Sequence, residues 1–387
     1  MKKLLLLLPS LNNGGMERVA ATLSQEFRKH YQLFVVSLYP SENEFQIQGE
    51  IYYIAYPLQR TYFHKCYYTA LRQVSYRKIK SIILPDITLS FGELANFISL
   101  QSGGIDLKFV TVHSIKSIEN SHDGLRGKLA DHFMKILYPK AAGVICVSEA
   151  SREDLIEHYQ LRCPIQVINN PCNVQYIRMQ SEPGRDAPRL KPGVFHLMSM
   201  GRLIPLKGFH HSIRVMRKLE DSYPGKFQLH IIGEGPELSR LENLVHRFNL
   251  HDAVFFYGKM QNPFSLMAAG NLYLLTSEVE GFPMVLVESL ALDVPVIATE
   301  CSSVIREILG LASQDLHNDC GIIIPKFEQN EDDFEPLTPT ESFLLTKIHD
   351  IYNGQTVLAR TCSRNISRFD IGQIALQYRN AFSMMEN

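Results

Sequence analysis

Several features are scarce in this 387-residue chain, and each scarcity excludes something. Net charge is one: 39 Lys and Arg meet 40 Asp and Glu, leaving a formal -1 at pH 7. A surface so close to neutral argues against a dedicated nucleic-acid binder, and no nucleic acid is expected as a partner. Paired cysteines are another. The seven (Cys66, Cys146, Cys163, Cys172, Cys301, Cys320 and Cys362) are scattered and form no CxxC. That speaks against a disulfide scaffold or a structural zinc site and fits a reducing compartment. No run reaches the roughly 18 apolar residues of a spanning helix. The opening MKKLLLLL imitates a signal peptide, but its apolar run ends at Pro9 with no small-residue cleavage site behind it. It reads as a buried first strand. HExxH, the Walker A loop, GxGxxG and GxSxG are all absent, and no metal site is expected.

What is present is a globular composition, 45% apolar and 20% charged, long enough for two domains. Short apolar runs alternate with helical stretches: Leu4–Leu8, Leu33–Leu38, Ile82–Leu84, Phe109–Val112, Gly143–Val147 and Ile165–Ile168. Ser148 is placed to cap a helix. Residues 179–193 hold three prolines and two glycines and read as a linker. The alternation then restarts at Phe195–Met200 and continues through Phe227–Ile232, Val254–Phe256, Leu272–Thr276, Val296–Ala298 and Ile322–Pro325. Thr340–Asn353 and Thr361–Phe382 read as helices. The pattern predicts an α/β chain with two Rossmann-like domains, parallel sheets, and strand ends facing an interdomain cleft.

Charge is uneven along the chain. Residues 1–190 carry 22 Lys and Arg against 17 Asp and Glu, whereas residues 191–387 carry 17 against 23. Between Ile51 and Pro85 lie Arg60, Lys65, Arg72, Arg77, Lys78 and Lys80, no carboxylate, and eight interleaved aromatic residues. Such a stretch suits an anionic membrane surface. A solvated helix over aromatic core residues would read the same way.

Four clusters fall just after predicted strands, where ligands bind in open α/β sheets. Asn12–Arg18, with Gly14 and Gly15, lets backbone approach an anion at a helix start; a tight turn needs the same residues. Arg202 and Lys207 flank a loop and could grip a diphosphate, or simply be solvated. Glu280 and Glu288 stand eight positions apart. Glu288 lies among Val285, Leu286, Val287 and Leu290, where a carboxylate needs a partner such as a hydroxylated ligand. The helix start at Met284 and Val285 offers amide groups to phosphate. His113, after Phe109–Val112, could donate a hydrogen bond or move a proton; a structural histidine would occupy the same place.

Taken together, these residues resemble the family 4 retaining glycosyltransferases, which have the two-domain GT-B architecture. The resemblance rests on Gly14–Val19, Val147–Ser151, Val167–Pro171, Ser199–Arg202 through Lys207-Gly208, Leu229–Pro236, Glu280 to Glu288 (the Glu-x7-Glu element) and Leu290–Ala298. It covers nearly the whole chain. It implies an acceptor domain over 1–180, a donor domain over 190–360, and a last segment, 361–387, that crosses back to the first domain. Arg202 and Lys207 resemble the pair that binds the donor diphosphate, and Gly15 the loop glycine beside it. Glu280 resembles the residue on the donor-sugar hydroxyls and Glu288 the one on the ribose. His113 resembles the first-domain histidine near the donor sugar. Backbone at Lys259-Met260 resembles the stretch beside the nucleobase, and Met284 and Val285 the amides near phosphate.

The resemblance further implies retention of anomeric configuration, a uridine diphosphate sugar as donor substrate, no cofactor and no metal. The implied acceptor is a glycan or lipid-linked saccharide of bacterial cell-surface polysaccharide synthesis. The implied setting is cytoplasmic, at the inner face of the cell membrane. A sugar-nucleotide epimerase, an inverting transferase and a non-catalytic nucleotide-sugar scaffold are the alternatives. The chain departs from the family pattern at Pro283 and Asp293, where glycine is frequent, and in Thr299–Val304, which lacks a glycine pair.

Overall fold

The computed structural model describes residues 1–12, 14–40, 46–54, 56, 62–182, 189–328, 333 and 336–385, with backbone only at 62–66, 122 and 365. The chain divides into two compact units, Met1–Cys172 with Phe369–Asn387, and Asn173–Arg368.

The first unit runs β1 (Lys3–Leu8), α1 (Gly15–Phe27), β2 (Gln32–Ser37), β3 (Glu50–Tyr53), α2 (Tyr62–Ile83), β4 (Ile87–Phe91), α3 (Glu93–Leu100) and β5 (Leu107–Val112). It continues with α4 (Lys116–His122), α5 (Leu125–Leu137), β6 (Gly143–Cys146), α6 (Glu149–Glu157) and β7 (Ile165–Val167). The strands form one parallel sheet in the order β3-β2-β1-β4-β5-β6-β7. Leu4 to Leu8 are fully buried, because helices cover both faces of β1. The strand order reverses direction between β1 and β4, which opens a crevice at their carboxyl ends.

The second unit begins with α7 (Val174–Ser181) and runs β8 (Phe195–Met200), α8 (Phe209–Ser222), β9 (Phe227–Ile232), α9 (Leu238–Arg247), β10 (Val254–Phe256), α10 (Phe264–Ala268) and β11 (Leu272–Leu275). Then come α11 (Met284–Ala291), β12 (Val296–Thr299), α12 (Val304–Leu309), β13 (His317–Asn318), β14 (Gly321–Ile324) and α13 (Pro339–Tyr352). Its sheet order is β10-β9-β8-β11-β12-β14-β13, parallel except for β13. The reversal here lies between β8 and β11. The last helix, α14 (Ile371–Met384), belongs to the first unit and packs on α1. Phe382 meets Phe27 and Phe109 at ring centroids 6.1 and 4.8 Å apart.

Three local expectations are corrected. Ile82–Leu84 is no strand: α2 runs to Ile83, and Leu84 turns to a φ of 51° before Pro85. A residue preceding proline leaves the helical region, so the helix stops there. The strand is β4, whose Thr88 and Ser90 disguise it. Both are buried and donate to Asp106 (2.7 Å) and Asn96 (2.7 Å). The helix expected over Thr361–Phe382 is a 3-10 segment, Cys362–Phe369, followed by α14, which Asp370 caps through the amide of Gly372.

The third concerns the basic stretch 51–85. Arg72 is buried. It donates to the carbonyls of Leu38 (3.0 Å) and Tyr56 (2.9 Å) and lies over the Tyr39 ring. Lys80 is also buried, 2.7 Å from Asp106, and burial lowers its ammonium pKa to about 8. Tyr76 is fully buried. These groups tie α2 to the sheet and do not face a membrane; Arg77 and Lys78 are exposed. Arg60 and the Lys65 side chain lie outside the described residues.

Candidate active site

Ligand chemistry is expected where the strand order reverses, and most of the singled-out residues lie on loops beside it, Met260 after edge strand β10 being the exception. In the second unit, the loop after β8 carries Arg202 and Lys207 and the loop after β11 carries Glu280. Lys207 reaches across, its Nζ 2.5 Å from Oε1 of Glu280. Ser277 Oγ donates to the same carboxylate oxygen at 2.7 Å, and Ser302 Oγ donates to the Glu280 carbonyl at 2.9 Å. Thr299 in turn donates to the carbonyl of Ser277 at 2.6 Å. The loops after β8, β11 and β12 therefore meet at Glu280, the first two at its carboxylate and the third at its backbone carbonyl. Cys301 lies buried beside it; burial first, then the Glu280 charge, pushes its thiol up to about 12.

The Lys207 loop is held from below. Thr276 Oγ1 donates to the Lys207 carbonyl at 3.1 Å, and the Glu278 amide donates to Leu206 O at 2.9 Å. Gly208 makes this approach possible. Its φ is 61°, and a Cβ there would lie 2.2 Å from the Thr276 carbonyl oxygen. Buried Tyr273 joins β11 to β8, its hydroxyl accepting from the Met200 amide and donating to the Met200 carbonyl, both at 3.0 Å. Arg202 follows on the exposed side of that loop.

Glu288 is buried on α11, near enough to Tyr273 that its charge helps raise the phenol pKa after burial. Pro283 precedes α11 in extended conformation and gives no side-chain cap; its carbonyl accepts from the Leu286 amide at 3.0 Å, and the half-buried Met284 and Val285 start the helix. Met260 follows Gly258, whose carbonyl accepts from the Gly233 amide at 2.8 Å. That bond ties the loop after β10 to the loop after β9.

In the first unit, Gly14 precedes α1 and Gly15 opens it, beyond β1. His113 follows β5 and stacks on Phe91 at the end of β4, centroids 5.9 Å apart. Its Nε2 lies 2.9 Å from Thr111 Oγ1. The Thr111 hydroxyl already donates to Ser90 O at 2.9 Å, so it accepts from His113 and fixes the Nε2–H tautomer. Burial, then the Lys116 ammonium, pushes the His113 pKa down to about 3. The ring is neutral at pH 7, with Nδ1 its unprotonated nitrogen; the Asn170 side chain lies beside it and acts on its pKa in the opposite direction. Lys116 itself stays charged: Glu93 and Glu119 outweigh its burial.

Sequence reasoning passed over Ser277, Ser302 and Thr299. Ser277 sits three residues before Glu280 in one loop, a spacing that could have flagged it. Ser302 could not be paired with Glu280 without the sheet order. Among the described residues, no group of three or more His, Cys, Asp or Glu side chains is placed to hold a metal ion, and no helix is long and apolar enough to cross a membrane.

Comparison with known proteins completes the picture. Residues 13–176 match the model described as Glycosyltransferase Family 4, and residues 182–334 match Glycosyl transferases group 1. An uncharacterised glycosyltransferase of Methanocaldococcus jannaschii is 30% identical over 206 residues, which span 52% of this chain and only 50% of that relative. A Campylobacter jejuni protein named N-acetylgalactosamine-N,N'-diacetylbacillosaminyl-diphospho-undecaprenol 4-alpha-N-acetylgalactosaminyltransferase is 28% identical over 326 residues, 80% of this chain and 84% of the relative. Among solved structures, Anabaena HepE in complex with UDP-glucose superposes with a TM-score of 0.72 at 18% identity, covering 99% of this chain and 100% of that one. One model covers most of the first unit and the other most of the second, and the fold match is full-length: the chain belongs to the family 4 glycosyltransferases of GT-B fold.

Proposed function

We propose that this enzyme is a retaining transferase that moves a hexose or N-acetylhexosamine from a uridine diphosphate sugar to a lipid-linked saccharide in cell-surface polysaccharide synthesis. The observation that carries the reading is the Lys207–Glu280 pair at the reversal of the second sheet. A cation and a carboxylate in contact, on loops that meet there, suit a ligand with an anionic half and a hydroxylated half. Arg202 and Lys207 take the diphosphate, and the amides of Met284 and Val285 add donors. Glu280 accepts from sugar hydroxyls and Glu288 from the ribose. Gly14 and Gly15 allow backbone beside phosphate, and Met260 lies along the base.

In the reaction, the bond from the anomeric carbon to the diphosphate oxygen breaks and a bond from that carbon to the acceptor oxygen forms on the same face. The acceptor proton passes to the departing phosphate oxygen. Arg202 and Lys207 stabilise the charge that develops on the diphosphate. Neutral His113, with Nδ1 as an acceptor, orients a donor-sugar hydroxyl and does not serve as the base. The likeness to the Campylobacter relative, whose name specifies a diphospho-undecaprenol acceptor, supports the lipid-linked assignment.

The test is product analysis with a panel of nucleotide sugars and polyprenyl-diphosphate saccharides. Transfer with the donor's anomeric configuration kept is expected. An inverted product, an epimerised donor, or binding without turnover across the panel would overturn the reading.

A further inference from the structure

Asp293 departs from the family pattern at a place where the backbone itself favours glycine. Its φ is 58°, in the left-handed region that an L-residue enters at a cost. The side chain is put to use there. Oδ1 accepts from the Ser363 amide at 2.9 Å, and Oδ2 accepts from the guanidinium of Arg178 on α7. Arg178 Nε also donates to the Ala291 carbonyl at 3.1 Å, and its Nη2 donates to Ser363 Oγ at 2.7 Å. One guanidinium thus gathers the end of α11, the turn behind it and the segment Cys362–Phe369.

Ala291 ends α11, where a helix leaves its last carbonyls to outside donors and where a cation opposes the negative end of the dipole. The helix is short, about two turns. Glu288 lies one turn before Ala291, and its carbonyl accepts from the Leu292 amide at 3.2 Å. Whatever fixes the end of so short a helix also fixes Glu288. Further along α7, the Gln180 carbonyl accepts from Asn262 Nδ2 at 2.8 Å. Asn262 Oδ1 in turn accepts from the Phe264 amide at 3.1 Å, at the end of the loop that carries Met260. Helix α7 is therefore a strut: Arg178 holds the helix of Glu288, and Gln180 holds the loop of Met260.

We infer that Arg178, acting through Asp293 and Ala291, is a positioning residue for the nucleoside half of the donor. The inference rests on the reading that places Glu288 at the ribose and Met260 at the base. Arg178 sets the spacing of these two groups. Arg202 and Lys207 lie on another loop, after β8, so the grip on the diphosphate is independent of the strut. A contact that served the fold alone would change melting temperature and would not separate the two halves of the ligand.

The test is calorimetry of the full chain with UDP and with inorganic diphosphate. Asp293→Gly is the sharpest variant, because glycine suits the backbone there and only the carboxylate is lost. Its melting temperature should be unchanged or higher, while UDP binding weakens about tenfold and diphosphate binding stays within about twofold. Arg178→Ala should weaken UDP binding to the same extent. The two substitutions together should be no worse than either alone, since both remove one clamp. In transfer assays with the donor found by the nucleotide-sugar panel, KM should rise about tenfold and kcat stay within about twofold. Variants that bind UDP as the wild type does, that lose UDP and diphosphate alike, or whose losses add would overturn the inference and leave the donor reading standing. A wild type that does not bind UDP would overturn both.

Discussion

Lys207 and Glu280 are 73 residues apart in sequence, yet Nζ and Oε1 stand 2.5 Å apart where the second sheet reverses its strand order. The contact joins the end of β8 to the end of β11. It holds the two charges ready, so neither has to be assembled when a ligand arrives.

Removal of the cation should therefore be costly. Lys207→Ala is expected to lower kcat/KM for sugar transfer by about 10²-fold or more. Steady-state assays over a range of donor concentrations check this. An unchanged kcat and KM would remove Lys207 from the chemistry.

The loop beneath Lys207 makes a separate prediction. Gly208→Ala places a Cβ against the Thr276 carbonyl, in a backbone region that costs an L-residue about 1–2 kcal/mol. The expected outcome is a modest fall in melting temperature with a disproportionate loss of activity, because the Lys207 register shifts. Full activity in this variant would show that the loop geometry does not matter.

Folding stability should depend on pH through a buried relay. Tyr257 donates to Nδ1 of His230 (2.9 Å), His230 Nε2–H donates to Nδ1 of His196 (3.0 Å), and His196 Nε2–H donates to Lys191 O (3.0 Å). The bond between the rings cannot hold with both protonated, since His196 Nδ1 and His230 Nε2 would then both be donors. Burial, then His196, pushes the His230 pKa down to about 4, and burial lowers that of His196. As pH falls below the usual value near 6.5, the unfolded chain takes up protons that the folded one refuses. Stability is therefore complete above about pH 6.5 and declines toward about pH 4, by at most about 1.4 kcal/mol per pH unit per site. His230→Gln should flatten the fall in melting temperature between about pH 7 and pH 5.

The C-terminal helix should be a structural part of the first unit. Phe382 is buried against Phe27, Phe109 and Tyr378. Phe382→Ala should cost about 3–5 kcal/mol, read by denaturant unfolding. A loss under about 1 kcal/mol would mean that α14 is dispensable to that core.

The strands were legible wherever they were fully apolar, since both faces of a parallel sheet are covered. Leu4–Leu8 and Leu272–Leu275 stood out for that reason. Three escaped: β3 and β13 are short sheet-edge strands, and β4 carries Thr88 and Ser90, whose buried partners Asp106 and Asn96 lie elsewhere in the chain. The orientation of α2 was not legible either. Arg72 and Lys80 look like surface charge until Tyr39, Tyr56 and Asp106 are seen around them. In α5 two apolar stripes compete, and composition alone cannot say that Met134 and Leu137 win the core while Phe133 stays outside. The residues of the candidate site could be named because loops after strands collect them, but Ser277 and Ser302 required the sheet order.

The account rests on Arg202 and Lys207 as the grip on a diphosphate, and calorimetry with UDP and UMP tests that most directly. The wild type should bind UDP far more tightly than UMP, and Arg202→Ala with Lys207→Ala should bring UDP down to the UMP level. A double variant that still prefers UDP by the wild-type margin would contradict it.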